Sequence, residues 1–243
     1  MLPKDSPILK LRPRLDDDGT MNVLDISEPG ATAWLEAQLP KLHLLLGDSV
    51  ARDCQLESRI RRDEFFSLAR GGDSWSALHR DLPDRLSEWV REISARGSRP
   101  GSAVVWMTGN DIYNKYTGLA SFTEDGLITL AEYARDVTRA LLDVAEGVVV
   151  LGPLPRLDGE INGARWEQTS AFHLERRLLH GLPDEAQFVP LGRQLTKKWA
   201  GRHSCIDDCA RWYAMDGVHL SADGYARLAD IIPIWLTMGA AAL

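Results

Sequence analysis

Groups capable of nucleophilic acyl chemistry stand toward both ends of the sequence. In the N-terminal third, Leu44-Leu45-Leu46 runs into Gly47-Asp48-Ser49, an apolar stretch that breaks at a glycine and delivers a hydroxyl. Far downstream, Asp216-Gly217-Val218-His219 sets a carboxylate three residues before an imidazole. A serine hydroxyl is a weak nucleophile until a base takes its proton, and the base needs a buried acid to hold its tautomer and stabilise its cation. An Asp-x-x-His turn can supply base and acid from one loop. Ser49, His219 and Asp216 are therefore the candidate nucleophile, base and acid. Gly-Asp-Ser alone is equally an ordinary turn and helix-cap triplet, and only its pairing with the distant Asp-x-x-His gives it weight.

These groups need a scaffold, and the hydrophobic pattern describes one. Leu42–Leu46 is too short for a buried helix and fits a strand buried on both faces. Gly47 would then let the chain leave the strand sharply, and a helix from Ser49 would aim its free N–H groups at the hydroxyl. Further strands are expected at Phe65–Ala69, Ala103–Met107, Val148–Leu151 and Gln187–Leu191. Between them, Trp75, Leu78, Leu82, Leu86, Trp89, Val90 and Ile93 recur at helical spacing, in a helix expected to be interrupted near Pro83. Leu127, Leu130, Ala134, Val137, Leu141 and Val144 form the stripe of another helix that stops at Gly147. A helix over Arg165–His180 follows, then an irregular stretch to Met215. The last helix, capped by Ser221, carries Tyr225, Leu228, Ile231 and Ile232 and ends or kinks at Pro233. Strands alternating with helices predict an α/β sandwich of three layers around a central, mostly parallel sheet.

Two further segments fall where such a fold gathers its ligands, at the carboxyl ends of strands. They are Arg70-Gly71-Gly72-Asp73-Ser74 and Thr108-Gly109-Asn110-Asp111. With Gly47-Asp48-Ser49 and Asp216-x-x-His219 they complete four blocks, in order, that resemble the SGNH hydrolases, also called the GDSL esterase and lipase family. The resemblance covers about Lys41 to the C-terminus. It implies the flavodoxin-like fold of that family, an acyl-enzyme route, and an oxyanion hole built from the backbone N–H groups of Ser49 and Gly72 and the side-chain amide of Asn110. Two positions depart from the family pattern. The third block usually runs Gly-x-Asn-Asp, whereas here Thr108 precedes Asn110 by two and the glycine is at 109. Val50 stands where the family has leucine, an apolar exchange of little mechanistic weight.

The expected reaction is hydrolysis of a carboxylic ester, with a small acyl or acetyl group favoured. The substrate would be a small-molecule, carbohydrate or lipid ester, and the chemistry calls for no cofactor or metal. Activity should fall on the acid side as His219 becomes protonated. Trp75, Trp106, Tyr113, Tyr116 and Trp212 lie near the predicted loops and could form an apolar or sugar-stacking wall, although Trp106, inside a strand, reads better as core. Esterase-like domains resembling this family also occur in proteins encoded by some retrotransposons. A binding or assembly module of a larger protein is thus a second reading, and acyl transfer to an alcohol other than water is a third.

Composition narrows the field. The 243 residues suit one α/β domain over about 41–243, preceded by an extension or linker over 1–40 with one short helix at Ala31–Leu39. A formal net charge of −7 and a pI near 5.4 argue against a nucleic-acid-binding surface. The basic clusters Arg59, Arg61, Arg62 and Lys197, Lys198, Arg202 read as solvated surface. The N-terminal segment lacks the apolar core of a secretory signal, and no stretch approaches the ~18 apolar residues of a membrane span, which favours a soluble, cytoplasmic protein. Cys54 reads as a small apolar filler. Cys205 and Cys209 read as a loop disulfide or free thiols, since one nearby histidine does not complete a zinc site.

Overall fold

The computed structural model describes residues 37–54, 64–113, 123–156, 166–194, 197–199, 202–204 and 211–229. Five strands form the central sheet: β1 (Lys41–Gly47), β2 (Phe65–Ser67), β3 (Arg99–Trp106), β4 (Val148–Leu151) and β5 (Gln187–Val189), in spatial order β2-β1-β3-β4-β5. Every pairing among them is parallel. All five carboxyl ends therefore lie along one edge, and the strand order reverses between β1 and β3. A crevice opens at such a reversal. The turns that leave β1 and β3 carry the first and third blocks.

Side-chain alternation assigns the two faces. Leu42, Leu44 and Leu46 of β1, Ala103 and Val105 of β3, and Val148 and Val150 of β4 point into one core. That core is closed by α2 (Trp75–Arg96), α3 (Glu124–Leu142) and α4 (Ser170–Gly181) through Leu78, Trp89, Leu130, Val137 and Leu174. The intervening Leu45, Val104, Trp106, Val149 and Leu151 point the other way, against Val50 and Ala51 of α1 (Ser49–Asp53) and Leu228 of α5 (Ala222–Ala229). Both faces of the sheet are thus apolar, which is why its strands read as continuous runs rather than polar alternation. Each such buried leucine contributes about 1.5–3 kcal/mol.

Several boundaries differ from expectation, each for a physical reason. α2 is continuous through Pro83. The proline is on the exposed face, so the His79 carbonyl that loses its helical partner can be hydrated. β3 begins at Arg99, before Ala103, and runs through Pro100 and Gly101. The register shifts there, with Leu42 opposite Pro100 but Leu44 opposite Ala103. His43 Nδ1 accepts the Ser102 N–H at 3.0 Å inside this bulge. A Cβ at Gly101 would lie 2.8 Å from the same nitrogen, so no larger residue fits.

The stripe from Leu127 to Val144 ends earlier than expected, because α3 stops at Leu142 and Val144 is exposed. The expected helix from Arg165 begins at Ser170, after a 3-10 turn at Trp166–Gln168, because Thr169 caps it by accepting the Phe172 N–H. β2 and β5 are three-residue edge strands, and a 3-10 turn at Leu191–Gln194 follows β5. Part of the stretch expected to be irregular forms an antiparallel hairpin of β6 (Lys197–Trp199) and β7 (Arg202–Ser204). Ser221 caps α5 by accepting the Gly224 N–H. Tyr116, Cys205, Cys209, Ile231, Ile232, Pro233, the Arg59–Arg62 cluster and nearly all of the 1–40 extension lie outside the described residues. Among the described residues no helix is long and apolar enough to cross a membrane.

Candidate active site

β1 ends at Gly47, and the reason for glycine is space rather than backbone freedom. A Cβ there would sit 2.3 Å from the Ala51 Cβ and 2.5 Å from the Trp106 carbonyl oxygen. Its φ is not among the positive values, so the expectation of a special backbone conformation at Gly47 is corrected. The next residue, Asp48, is completely buried. Its Oδ1 accepts the Val50 N–H at 3.0 Å, which caps α1. Its Oδ2 accepts the Thr108 N–H at 2.8 Å and the Thr108 hydroxyl at 2.5 Å. Burial pushes the Asp48 carboxyl up, and these hydrogen bonds act against that shift. One acid thereby ties the β1 turn to the β3 turn.

Ser49 is the first residue of α1, where a backbone N–H has no acceptor within the helix. α1 has only five residues, so what it offers at the hydroxyl is oriented N–H groups more than a macrodipole. His219 Nε2 lies 2.9 Å from Ser49 Oγ, across a sequence separation of 170 residues. His219 Nδ1 lies 2.7 Å from Asp216 Oδ2. With Nδ1–H donating to the carboxylate, Nε2 is left to accept the serine proton.

Asp216 Oδ1 accepts the N–H groups of Val218 and His219, each at 2.9 Å, and Gly217 turns the chain with φ of 66°. The loop is pinned at its base by an antiparallel bridge of Tyr213 to Leu220 and by the Tyr213 hydroxyl donating to the Pro155 carbonyl. Asp216 is not the buried acid expected, since its side chain is 50% exposed. The burial it has pushes its carboxyl up, but hydrogen bonds from the His219 ring and the Val218 and His219 N–H groups outweigh that and hold it below the ordinary carboxylate value.

The second and third blocks meet at the same edge. Gly72 has φ of 76° with open space around a notional Cβ, so conformation alone selects glycine there. The following Asp73 forms a buried ion pair with Arg85 of α2 at 2.6 Å, while the same guanidinium donates to the Leu68 carbonyl at 3.0 Å. Asn110 Nδ2 donates to the Asp73 carbonyl at 2.9 Å, which brings the Asn110 amide against the Gly72 turn. Asp111 accepts the Trp75 N–H at 2.8 Å and so caps the start of α2. Burial pushes its carboxyl up, against those same bonds. Gly109 has φ of 136° and packs where a Cβ would lie 2.7 Å from the Tyr113 ring. This explains the displaced glycine: position 108 is occupied by the hydroxyl that Asp48 binds, and position 109 admits no side chain.

The structure thus brings together Ser49, His219 and Asp216, and sets Asn110 beside the Gly72 turn. It removes most of the aromatic wall. Trp75 and Trp106 are core residues at 1% and 0% exposure, and Tyr113 is buried. Trp212 carries the Arg211 and Arg227 guanidinium groups 4.0 and 5.0 Å from its ring centroid. Asp48, Asp73 and Thr108 stand inside the sequence blocks without a supporting role assigned to them, and Arg85 and Arg156 lie outside those blocks. Arg156, whose Nη2 donates to Asn110 Oδ1 at 2.7 Å, had one available signal, a lone cation after the Pro-rich end of β4. Among the described residues no cluster of histidine, cysteine, aspartate or glutamate could hold a metal ion.

No family model and no curated protein matches the chain. Solved structures do. A provisionally assigned acylhydrolase from Bacteroides fragilis superposes with a TM-score of 0.57 at 15% identity, covering 89% of this chain and 99% of that one. A provisionally assigned SGNH hydrolase from Slackia heliotrinireducens gives 0.54 at 16% identity, over 82% and 99%. A catalytic mutant of an acetylxylan esterase from Geobacillus stearothermophilus gives 0.53 at 14% identity, over 81% and 94%. With its all-parallel β2-β1-β3-β4-β5 sheet and helices on both faces, the chain has the SGNH-hydrolase fold.

Proposed function

We propose that this chain is a serine esterase of the SGNH hydrolase family, acting on a carboxylic ester with a small acyl or acetyl group. The observation that carries this reading is the hydrogen-bonded relay of Asp216, His219 and Ser49, with contacts of 2.7 and 2.9 Å, assembled from distant parts of the chain. The acetylxylan esterase among the structural neighbours favours a small acyl group.

Ser49 Oγ attacks the ester carbonyl carbon as its proton passes to His219 Nε2, and Asp216 stabilises the imidazolium through Nδ1–H. The carbonyl oxygen becomes an oxyanion, held by the N–H groups of Ser49 and Gly72 and by Asn110 Nδ2. Collapse of this intermediate breaks the carbon–oxygen bond to the alcohol, which leaves with the proton from His219. Water then gives its proton to His219 and adds to the acyl-serine. A second collapse releases the acid and returns the proton to Ser49.

The test is hydrolysis of p-nitrophenyl acetate and p-nitrophenyl octanoate by the protein and a folded Ser49→Ala variant, prepared side by side. Loss of turnover by a factor on the order of 10⁴ or more is expected, with acetate preferred. Equal rates from both proteins would sink the reading.

A further inference from the structure

We propose that Arg156 is a positioning residue that fixes the Asn110 carboxamide in the one orientation able to donate to an oxyanion. The proposal rests on the esterase reading above and gives that site a component outside its four sequence blocks. Arg156 follows Gly152-Pro153-Leu154-Pro155 at the carboxyl end of β4 and is 9% exposed. Its Nη2 donates to Asn110 Oδ1 at 2.7 Å, and its guanidinium carbon stands 4.6 Å from the centre of the Tyr113 ring.

A carboxamide has one acceptor oxygen and two N–H donors. Here Arg156 occupies the oxygen and the Asp73 carbonyl takes one N–H at 2.9 Å, which leaves a single N–H to offer. A guanidinium has no acceptor atom, so the flipped amide would set N–H against N–H on one side and oxygen against the Asp73 carbonyl on the other. Only one rotamer satisfies both neighbours. The bond is also charge-assisted, and electron withdrawal from Oδ1 toward the cation makes the remaining N–H a stronger donor in this largely buried setting. Tyr113, the ring beneath Arg156, packs so closely on Gly109 that a Cβ there would be 2.7 Å away, so one ring touches both the cation and the turn that carries Asn110.

The experiment measures p-nitrophenyl acetate kinetics for Arg156→Met, Arg156→Lys, Asn110→Ala and the Arg156→Met/Asn110→Ala double variant, with thermal melts to confirm folding. Arg156→Met is expected to lower kcat by about tenfold, less than loss of the donor itself, with KM moved less than about twofold. Lysine, which keeps the charge without the planar fork, should recover part of the loss. In the Asn110→Ala background the same change should cost less than about twofold, because its route of action is gone. An equal loss in both backgrounds, or a loss confined to KM, would overturn the proposal and point to structural support or direct substrate contact.

A second readout does not depend on turnover. In ¹⁵N–¹H spectra, the side-chain amide pair of Asn110, recognised by its disappearance in Asn110→Ala, should move in Arg156→Met. A pair that stays in place overturns the positioning role. Activity that survives Ser49→Ala would instead sink the esterase reading, so the two failures are separable.

Discussion

The proposed nucleophile and the proposed base are held by opposite strategies. Ser49 is set between a completely buried acid and a strand turn 60 residues away, through Asp48 and Thr108. His219 is set by its own loop, with Asp216 three residues before it as ring partner and as acceptor of the loop N–H groups. The first arrangement is long-range and dry, whereas the second is local and wet, with 36% of the His219 side chain and 50% of the Asp216 side chain exposed. The difference teaches that the Ser49 hydroxyl is placed by the sheet. His219 is carried by a short motif whose ends are tied by the Tyr213–Leu220 bridge and the Tyr213 hydroxyl.

The comparison can be broken first at Asp48. Asp48→Ala strands the buried Thr108 N–H and hydroxyl and removes the α1 cap, so a loss of about 2–4 kcal/mol is expected in urea unfolding. A change under about 0.5 kcal/mol would mean that the β1 and β3 turns hold each other by packing alone. Asp216→Ala should separate activity from stability in the opposite sense. Water can reach the vacated side of an exposed imidazole, so kcat should fall by about 10²-fold, not the ~10⁴-fold seen when a buried triad acid is altered. Stability should change by less than about 0.5 kcal/mol. A 10⁴-fold loss would show that exposure does not weaken this acid.

The smallest expected effect belongs to His43, in the sheet-built half. Burial, then the nearby Lys41, pushes its imidazole below its ordinary value of 6.5, and the carboxylates of Glu146 and Glu64 pull the other way without cancelling that shift. Its Nδ1 accepts a backbone N–H, so the folded state needs the neutral ring. With the folded value depressed, this stability is present above about 6.5 and is lost as pH falls from there through the folded value. His43→Gln should flatten that part of a stability profile. An unchanged slope would move the acid sensitivity to another group.

The same contrast explains what could be read from sequence. Asp216-x-x-His219 was legible because both partners sit on one turn, so spacing alone implies contact. The strand cores at Leu42–Leu46 and Val148–Leu151 were legible because burial on both faces gives continuous apolar runs. The supports of Ser49 and Asn110 were not, because Asp48 with Thr108 and Asn110 with Arg156 are 60 and 46 residues apart and follow no period. The start of β3 was hidden by Pro100-Gly101, which reads as a break until the bulge opposite His43 gives both residues a reason. Pro83 misled because the rule against proline in helices concerns lost hydrogen bonds, and on a hydrated face that loss is partly made good.

The 170 residues between Ser49 and His219 also set an order in time. At roughly 5–20 residues per second, a ribosome that has made Ser49 needs about 10–30 s more to reach His219. Throughout that interval the serine lacks the His219 imidazole. The nascent scaffold therefore carries a dormant hydroxyl, and under the proposed reaction the protein becomes an esterase only when the Tyr213–Leu220 bridge forms. Closing the Asp216–His219 loop is then the step that completes the proposed relay.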